Sequence, residues 1–521
     1  MPLTTELFQM FPWVGGLNTS LNPAAIEPNE LVQADNLVFG TRGSRKKREG
    51  INNDWDDQSN GSDSVIGLYD FWYGLTSRTQ KRVAVWDTGA IYTYSDSGVR
   101  SSNIFAGTAW ASAITKTSFE VLNNLLIIAV DGTGNVLKKY DGSTVADLGG
   151  TPPQASIVRL HQGRLWTNDK TSLDRIHYSP VSDPSTWNGS GDSGAFDVGK
   201  GDGDPDGITA IFSFKGDLFV AKRTKLYRIS GYSPEEYVIQ LISNGIGCVA
   251  HNSVTTIDQD DVFFVSERGV HSLAATANYG DFASSFLSAP IQETFNNDFT
   301  RSRLQFIQSL YLPNINSFAF AVTDENTSAL YNSALYLYNI PLKAWYRWPD
   351  LSCECIAVFR DSDQLRPYLG RNDGRVAKGM NGLVYDSDTA GTSTAISMII
   401  KTGVIHPSQV PFANKGFKKF SLIYAPDGDH DITATVKIDN YPSQDLVFNE
   451  AYGDQLDVDF ILDASALATG AIVAPYTLSV DGYGRAFQLT LTQEGVNERA
   501  EIQGFAVEYE TAGLMQEVIV I

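Results

Sequence analysis

The chain has 521 residues, a formal net charge of −21 and a hydrophobic fraction of 42%. That apolar content supports large buried cores and excludes global disorder, while the negative charge argues against a protein that binds nucleic acid by neutralising phosphates. Three cysteines exclude a disulfide framework and favour assembly in a reducing cytoplasm. The N-terminus carries no secretory pattern, and the longest apolar run, residues 125–130, is far shorter than the ~18 residues of a membrane helix.

Two short helices and seven hairpins are predicted along the chain. The first helix covers residues 28–34, and the second follows Pro290 with Ile291, Phe295 and Phe299 on one face. Each hairpin joins a short apolar strand to a second strand rich in tyrosine or β-branched residues. The paired segments are 83–86 with 91–94, 125–130 with 136–140, 165–166 with 176–178, 218–220 with 226–229, 262–265 with 270–273, 318–322 with 334–338, and 367–370 with 375–376.

The hairpins recur at intervals of about 40 to 55 residues, which is typical of β-propeller blades. We therefore predict an all-β protein whose residues 61–390 form a propeller of about six to eight blades. The alternative is an irregular all-β chain with evenly spaced turns. Residues 1–60 are predicted to form an N-terminal arm and hairpin.

Longer strands with strict alternation follow residue 390. Residues 432–438 and 487–492 alternate apolar with polar side chains, so each strand is expected to bury one face. Near the end, Ile502 and Phe505 occupy opposite phases, and a β-bulge at Gly504 would absorb that slip. Residues 391–521 are thus predicted to form a separate β-sandwich or platform domain.

One acidic loop could bind a metal. Asp202, Asp204 and Asp206 alternate before Gly207, which resembles the first half of a calcium loop, and a distant acid such as Asp217 could complete it. The position where a calcium loop needs glutamate is Ser213. An acidic turn without metal is the favoured interpretation.

Other motifs do not form a recognisable active site. Ser193 lies in a sequence like the trypsin nucleophile motif, yet neither His161 nor His177 has the setting of its partner histidine. Cys248, Cys353 and Cys355 are too few and wrongly spaced for zinc, and are expected to be buried free thiols. The basic run 42–48 is interpreted as a solvated turn or an inter-subunit contact. We expect no catalytic residues and no cofactor.

An ordered set of glycine and aromatic motifs runs along the chain. The N-terminal ones are residues 11–18, which read FPWVGGLN, then Pro28-Asn29-Glu30, Asn36-Leu37 and Arg48-Glu49-Gly50. Later ones include Gly163-Arg164-Leu165-Trp166, residues 183–187, residues 207–231, Gly245-Ile246-Gly247-Cys248, residues 269–273 and residues 344–348. This set resembles the tail nozzle (tail tubular B-like) proteins of short-tailed bacteriophages, and the similarity covers roughly residues 11–380. Each motif is a common glycine or aromatic turn signal, but their order and spacing together are specific.

The resemblance implies a propeller-containing structural protein of the virion tail, assembled in the cytoplasm of the host bacterium. Six copies would form a tube that retains the packaged DNA and conducts it on ejection. Partners would be the tail adaptor ring, tail fibre or spike proteins, and double-stranded DNA that passes without specific binding; direct membrane insertion is not expected. The family carries no catalytic residues. The alternative is a tail adhesin whose propeller binds host saccharide through exposed aromatic residues such as Trp72, Tyr73 and Trp110.

Overall fold

The computed structural model describes residues 5–40, 43–55, 63–94, 100–105, 110–203, 205–258, 261–273, 286–324, 329–387, 392–408, 413–425, 431–439, 441–449 and 474–511. The chain divides into two compact units. The propeller unit contains residues 52–336 and 350–379, and the sandwich unit contains residues 1–51, 337–349 and 380–521. This division differs from the three consecutive segments predicted, because the N-terminal segment and residues 337–349 belong with the C-terminal strands.

Seven groups of antiparallel strands form the blades within the described part of the propeller unit. Blade 1 has strands Val65–Tyr73, Thr79–Trp86 and Ile91–Tyr94; blade 2 has Thr117–Leu122, Leu125–Val130, Lys138–Tyr140 and Val145–Asp147; blade 3 has Val158–His161, Arg164–Asn168, Arg175–Tyr178 and Gly194–Asp197. Blade 4 has Ala210–Phe214, Asp217–Ala221, Lys225–Ser230 and Val238–Asn244; blade 5 has Val254–Ile257, Asp261–Ser266 and Gly269–Ser272. Blade 6 has Gln308–Leu312, Ser317–Val322 and the start of Ala334–Asn339; blade 7 has Cys355–Asp361, Gln364–Gly370, Val376–Gly379 and the N-terminal strand Ile51–Trp55.

The first strand of each blade lies innermost, and successive inner strands are neighbours around a closed ring in which blade 7 adjoins blade 1. Each of the seven predicted hairpins is the second and third strand of one blade. Several inner strands reach the second strand through two-residue turns in which both residues have positive φ. These turns are Asn123-Asn124, Gln162-Gly163 and Lys215-Gly216, and their backbone twist matches that of the flanking strands.

Apolar side chains fill the spaces between adjacent blades. One such core joins blades 7 and 1 through Trp55, Trp86, Tyr94, Phe359 and Tyr368. Similar cores join blades 1 and 2, 2 and 3, 3 and 4, and 4 and 5. Blades 1 to 4 therefore bury both faces against their neighbours, as expected for repeated β units that cannot bury a face alone.

The described residues of the sandwich unit form two larger sheets and one small one. One sheet orders Ala344–Trp348, Leu31–Asp35, Met398–Thr402, Phe487–Gln493, Asp431–Ile438 and Gln444–Asn449; the other orders Leu37–Phe39, Arg45–Lys47, Glu501–Thr511, Lys415–Ala425 and Ala474–Gly484, with Thr5–Met10 also on Glu501–Thr511. Tyr385–Ser387 pairs with Ser393–Ala395. Aromatic rings from both larger sheets meet, as in the contact of Phe417 with Phe487 at 5.7 Å between centroids. The register shift opposite Ile423 and Tyr424 confirms the bulge beside Gly504.

The two predicted helices have different outcomes. Residues 31–35 form a strand, so the helix at 28–34 is wrong; Leu31 and Ala34 are buried where this strand pairs with Met398–Thr402. The second helix is present as Gln292–Asn297, after a 3₁₀ turn Ala289–Ile291. Further 3₁₀ turns are Pro234–Glu236, His251–Ser253, Arg301–Phe306 and Pro313–Ile315. Among the described helices, none is long and apolar enough to cross a membrane.

Candidate functional site

The N-terminal motifs meet in one buried region of the sandwich unit. We call this region the N-terminal junction, and it comprises residues 13–18, 29–31, 35–37, 45–48 and 344–348. The amide of Leu17 donates to the carbonyl of Trp345 (2.7 Å), and the amide of Leu31 donates to that of Gly16 (2.9 Å). A Cβ atom on Gly16 would lie 2.5 Å from the Trp345 backbone nitrogen. Only glycine therefore allows this approach.

Two arginines of the basic run fix the same region. The Arg45 side chain is fully buried, donates to the carbonyl of Gly15 and lies over the Trp13 ring at 4.0 Å. Burial lowers the pKa of Arg45 from its ordinary value. Arg48 donates to the side chain of Asn36 (2.8 Å) and pairs through two nitrogens with Asp386 (2.8 and 2.5 Å).

The solvated turn predicted for residues 42–48 is therefore wrong. Arg45, Lys47 and Arg48 are buried, while Lys46 points outward. Strand geometry explains this, since Arg45–Lys47 alternates its side chains between the two faces of its sheet. Arg42 lies outside the described residues.

The acidic loop is held by basic side chains in its described part. Asp202 Oδ2 lies 3.2 Å from Lys222 Nζ and 3.3 Å from Lys225 Nζ. Asp206 pairs with Arg223 (3.6 Å) and Asp217 with Arg228 (2.6 Å). Asp204 lies outside the described residues, and the described ones contain no cluster of three His, Cys, Asp or Glu side chains suited to a metal. In the described structure, Asp202, Asp206 and Asp217 are thus each paired with lysine or arginine side chains.

The serine, histidine and cysteine residues considered in the sequence analysis have contacts typical of structural residues. The Ser193 hydroxyl donates to the Ser190 carbonyl (2.8 Å) and accepts from the Gly189 amide (3.1 Å), inside its own turn. His161 and His177 instead contact Ser213 (3.1 Å) and Asp169 (3.0 Å). The three cysteines are free and buried, as predicted.

The aromatic residues considered for saccharide binding are half-buried rather than exposed. Trp110 donates to the Gly89 carbonyl (3.2 Å) and stacks on Phe105 with centroids 5.8 Å apart. Tyr73 stacks on Phe71 at 5.3 Å. Two of the three rings thus pack within the propeller unit.

Two cavities of about 480 and 820 Å³ open beside each other on the propeller face that carries the turns between second and third strands. They share Thr115, Phe306 and Glu354 in their walls. Burial raises the pKa of Glu354 to about 7, although Arg303 Nη2 lies 3.6 Å from its carboxylate. No sequence signal identified these cavities, because their walls combine residues from several blades.

Replacing Glu354 with glutamine is expected to remove a pH-dependent loss of stability. The pKa of Glu354 in the folded state is raised above its ordinary 4.5. The protonated carboxyl group therefore stabilises the folded state below pH 4.5, and this stabilisation is lost as the pH rises through about 7. Relative to Glu354→Gln, the wild type should lose about 2–3 kcal/mol between pH 4.5 and 8. Urea unfolding across this range measures the difference. The exposed Glu267→Gln is the matched control, and parallel pH profiles for the wild type and Glu354→Gln would contradict the assignment.

Comparisons with known proteins give structural likeness alone. No family model matches the chain, and no curated protein matches it. One similar solved structure is the extracellular domain of the hybrid two-component system BT4673 from B. thetaiotaomicron, with 13% identity and a TM-score of 0.42; the match covers 65% of this chain and 40% of that one. Another is the WD40 β-propeller domain of Doa1, with 10% identity and a TM-score of 0.39, covering 62% of this chain and 96% of that one. The chain is an all-β protein with a β-propeller.

Proposed function

We propose that this chain is a structural subunit of the distal tail nozzle of a short-tailed bacteriophage. Six copies would surround a common axis through repeated heterologous contacts. The tube would attach to the tail adaptor ring, carry fibres or spikes, retain the packaged genome and conduct it on ejection. In this proposal the chain acts without catalytic residues or a cofactor.

The N-terminal junction is the observation that carries the proposal. The motifs behind the resemblance are far apart in sequence, yet Gly16 packs on the Trp345 backbone and Arg48 binds Asn36. The Trp348 indole donates to the Leu37 carbonyl (2.9 Å). The glycine, arginine and tryptophan residues are thus complementary parts of one packed region. This complementarity supports a shared architecture over a coincidence of common turn residues.

The net charge of the chain supports a tube that conducts DNA without binding it tightly. Each chain has a formal net charge of −21, and duplex DNA presents a negative charge every ~1.7 Å along its axis. A channel lined mainly by acidic and small polar residues would release the duplex, whereas a basic lining would exchange counterions and retain it. Electrostatic repulsion between the channel wall and the DNA is screened over about 8–10 Å. A wall at that distance from the duplex therefore adds little free energy to its passage. Retention would then come from loops that narrow the bore.

Cryo-electron microscopy of the phage particle tests the proposal. Maps of the tail are expected to contain six copies of this chain in a ring below the adaptor. Virions with Ser193→Ala serve as the control and should assemble and eject DNA at the wild-type rate, because that hydroxyl is used within its own turn. One or three copies per tail would reject the nozzle, and a monomer at a fibre tip would favour the saccharide-binding adhesin.

A further inference from the structure

A third cavity lies on the axis of the propeller unit, and it shares Thr117, His251, Asn252 and Gln308 with the 480 Å³ cavity. Its volume is about 340 Å³, and the innermost strands of all seven blades contribute to its wall. This volume equals that of about ten water molecules at ~30 Å³ each, which is enough for a small organic molecule. Tyr69, Phe119 and Phe212 supply aromatic surface to the wall.

Most neutral polar side chains of this wall are already hydrogen-bonded to one another or to the backbone. Thr255 Oγ1 contacts Ser309 Oγ (2.6 Å), Asn252 donates to the Thr117 carbonyl (3.0 Å), and Gln308 donates to the Glu354 carbonyl (3.0 Å). Ser118 donates to the Val158 carbonyl (3.2 Å). These groups therefore shape the cavity and have little remaining capacity to select a ligand.

Arg159 differs from these neutral polar residues because it carries a charge. Among the described residues of the wall it is the only Lys, Arg, Asp or Glu, and its ion contact is Glu120 at 3.5 Å. The Glu120 carboxylate also accepts from the amides of Leu160 (3.0 Å) and Val121 (3.2 Å). Within the described structure, Arg159 Nε is buried without a hydrogen-bond partner. The Arg159 side chain is 37% exposed, so the N–H donors at the end of its guanidinium, unlike the buried Nε, can reach a ligand.

The groups around Arg159 leave it as the single cation of the cavity. His251 also lines the wall, and burial, with a smaller effect from Arg159, lowers its pKa to about 3, so its imidazole is neutral at physiological pH. A planar guanidinium binds a carboxylate through two parallel hydrogen bonds. Tyr69, Phe119 and Phe212 lie in the same wall and supply flat apolar surface.

We propose that the axial cavity binds a small aromatic carboxylate, whose carboxylate group pairs with Arg159 and whose ring packs against Phe119 and Phe212. This site is independent of the nozzle proposal. It requires neither ring assembly nor DNA.

Fluorine NMR with 4-fluorobenzoate tests the site on the full-length protein. The wild type is expected to give a saturable shift, and the neutral isostere 4-fluorobenzamide should bind at least tenfold more weakly. Arg159→Met should reduce binding at least tenfold, while Arg159→Lys should retain part of it. Lys200→Met is the matched control, since it removes one positive charge at an exposed lysine of the same unit.

A second variant separates binding from misfolding. Thr256 is exposed to solvent and lines the cavity, so Thr256→Trp should block the cavity with Arg159 in place and abolish the shift. Unchanged thermal unfolding would show that both variants are folded. Equal affinity for the benzoate and the benzamide, or unchanged binding by Arg159→Met or Thr256→Trp, would overturn the proposal.

Discussion

Replacing Trp55 with alanine is expected to destabilise the propeller unit by about 3–5 kcal/mol. Trp55 is 1% exposed and stacks on Tyr94 with centroids 3.8 Å apart, and its ring also contacts Phe359 and Tyr368. It lies on the N-terminal strand that completes blade 7, so its loss leaves a cavity where the ring of blades closes. Urea unfolding followed by circular dichroism measures the change.

The half-buried Trp72, on the first strand of blade 1, provides the control for this variant. Trp72→Ala removes the same side chain from a less enclosed position and should cost clearly less. Trp55→Phe should recover part of the loss because it retains an aromatic ring. If Trp55→Ala and Trp72→Ala cost the same, the closing strand contributes no special stability.

Replacing Arg48 with methionine is expected to destabilise the sandwich unit by about 3–5 kcal/mol, because it leaves the Asp386 carboxylate without its cation. Arg48 is 1% exposed and donates to both carboxylate oxygens of Asp386. Asp386 also accepts from the Ile51 amide (2.8 Å), so the variant should disturb the chain just after the junction. The free energy of unfolding again provides the measurement.

A double variant distinguishes the ion pair from simple packing. Adding Asp386→Asn to Arg48→Met should restore part of the lost stability, because no unpaired carboxylate remains. Lys46→Met is the control on the same strand; Lys46 is exposed and pairs with Glu501 at 2.7 Å, so its loss should cost less than about 1 kcal/mol. No recovery in the double variant would assign the effect of Arg48 to packing alone.

The sequence revealed the middle of each blade more clearly than its edges. Second and third strands are apolar and joined by marked turns, as in the pairing of 218–221 with 226–229. First strands carry mixed residues because one side faces the axial cavity; Val158–His161 contains both Arg159 and a buried valine. The closing strand Ile51–Trp55 could not be assigned to blade 7, since its partner strand lies more than 300 residues away.

The errors at the N-terminal junction have a physical cause. The segment 28–34 contains helix-compatible residues, but the buried strand Met398–Thr402 supplies hydrogen bonds that a helix would forgo. The run 42–48 has the composition of a surface, yet Arg45 is buried against aromatic rings. The structure of both segments depends on partners that are distant in the sequence. Local patterns therefore identified the family resemblance but not the packing that underlies it.

The late completion of blade 7 affects how the chain folds while it is being synthesised. Its strand Ile51–Trp55 leaves the ribosome early, whereas Val376–Gly379, the strand it pairs with, and the rest of blade 7 emerge roughly 300 residues later. At 5–20 residues per second, that strand waits at least about 15 seconds for its partners. During this interval Trp55 lacks Phe359 and Tyr368, and contacts of such sequence separation slow folding. Until the ring of blades closes, the nascent chain thus carries an unpaired strand whose Trp55 lacks its blade 7 contacts.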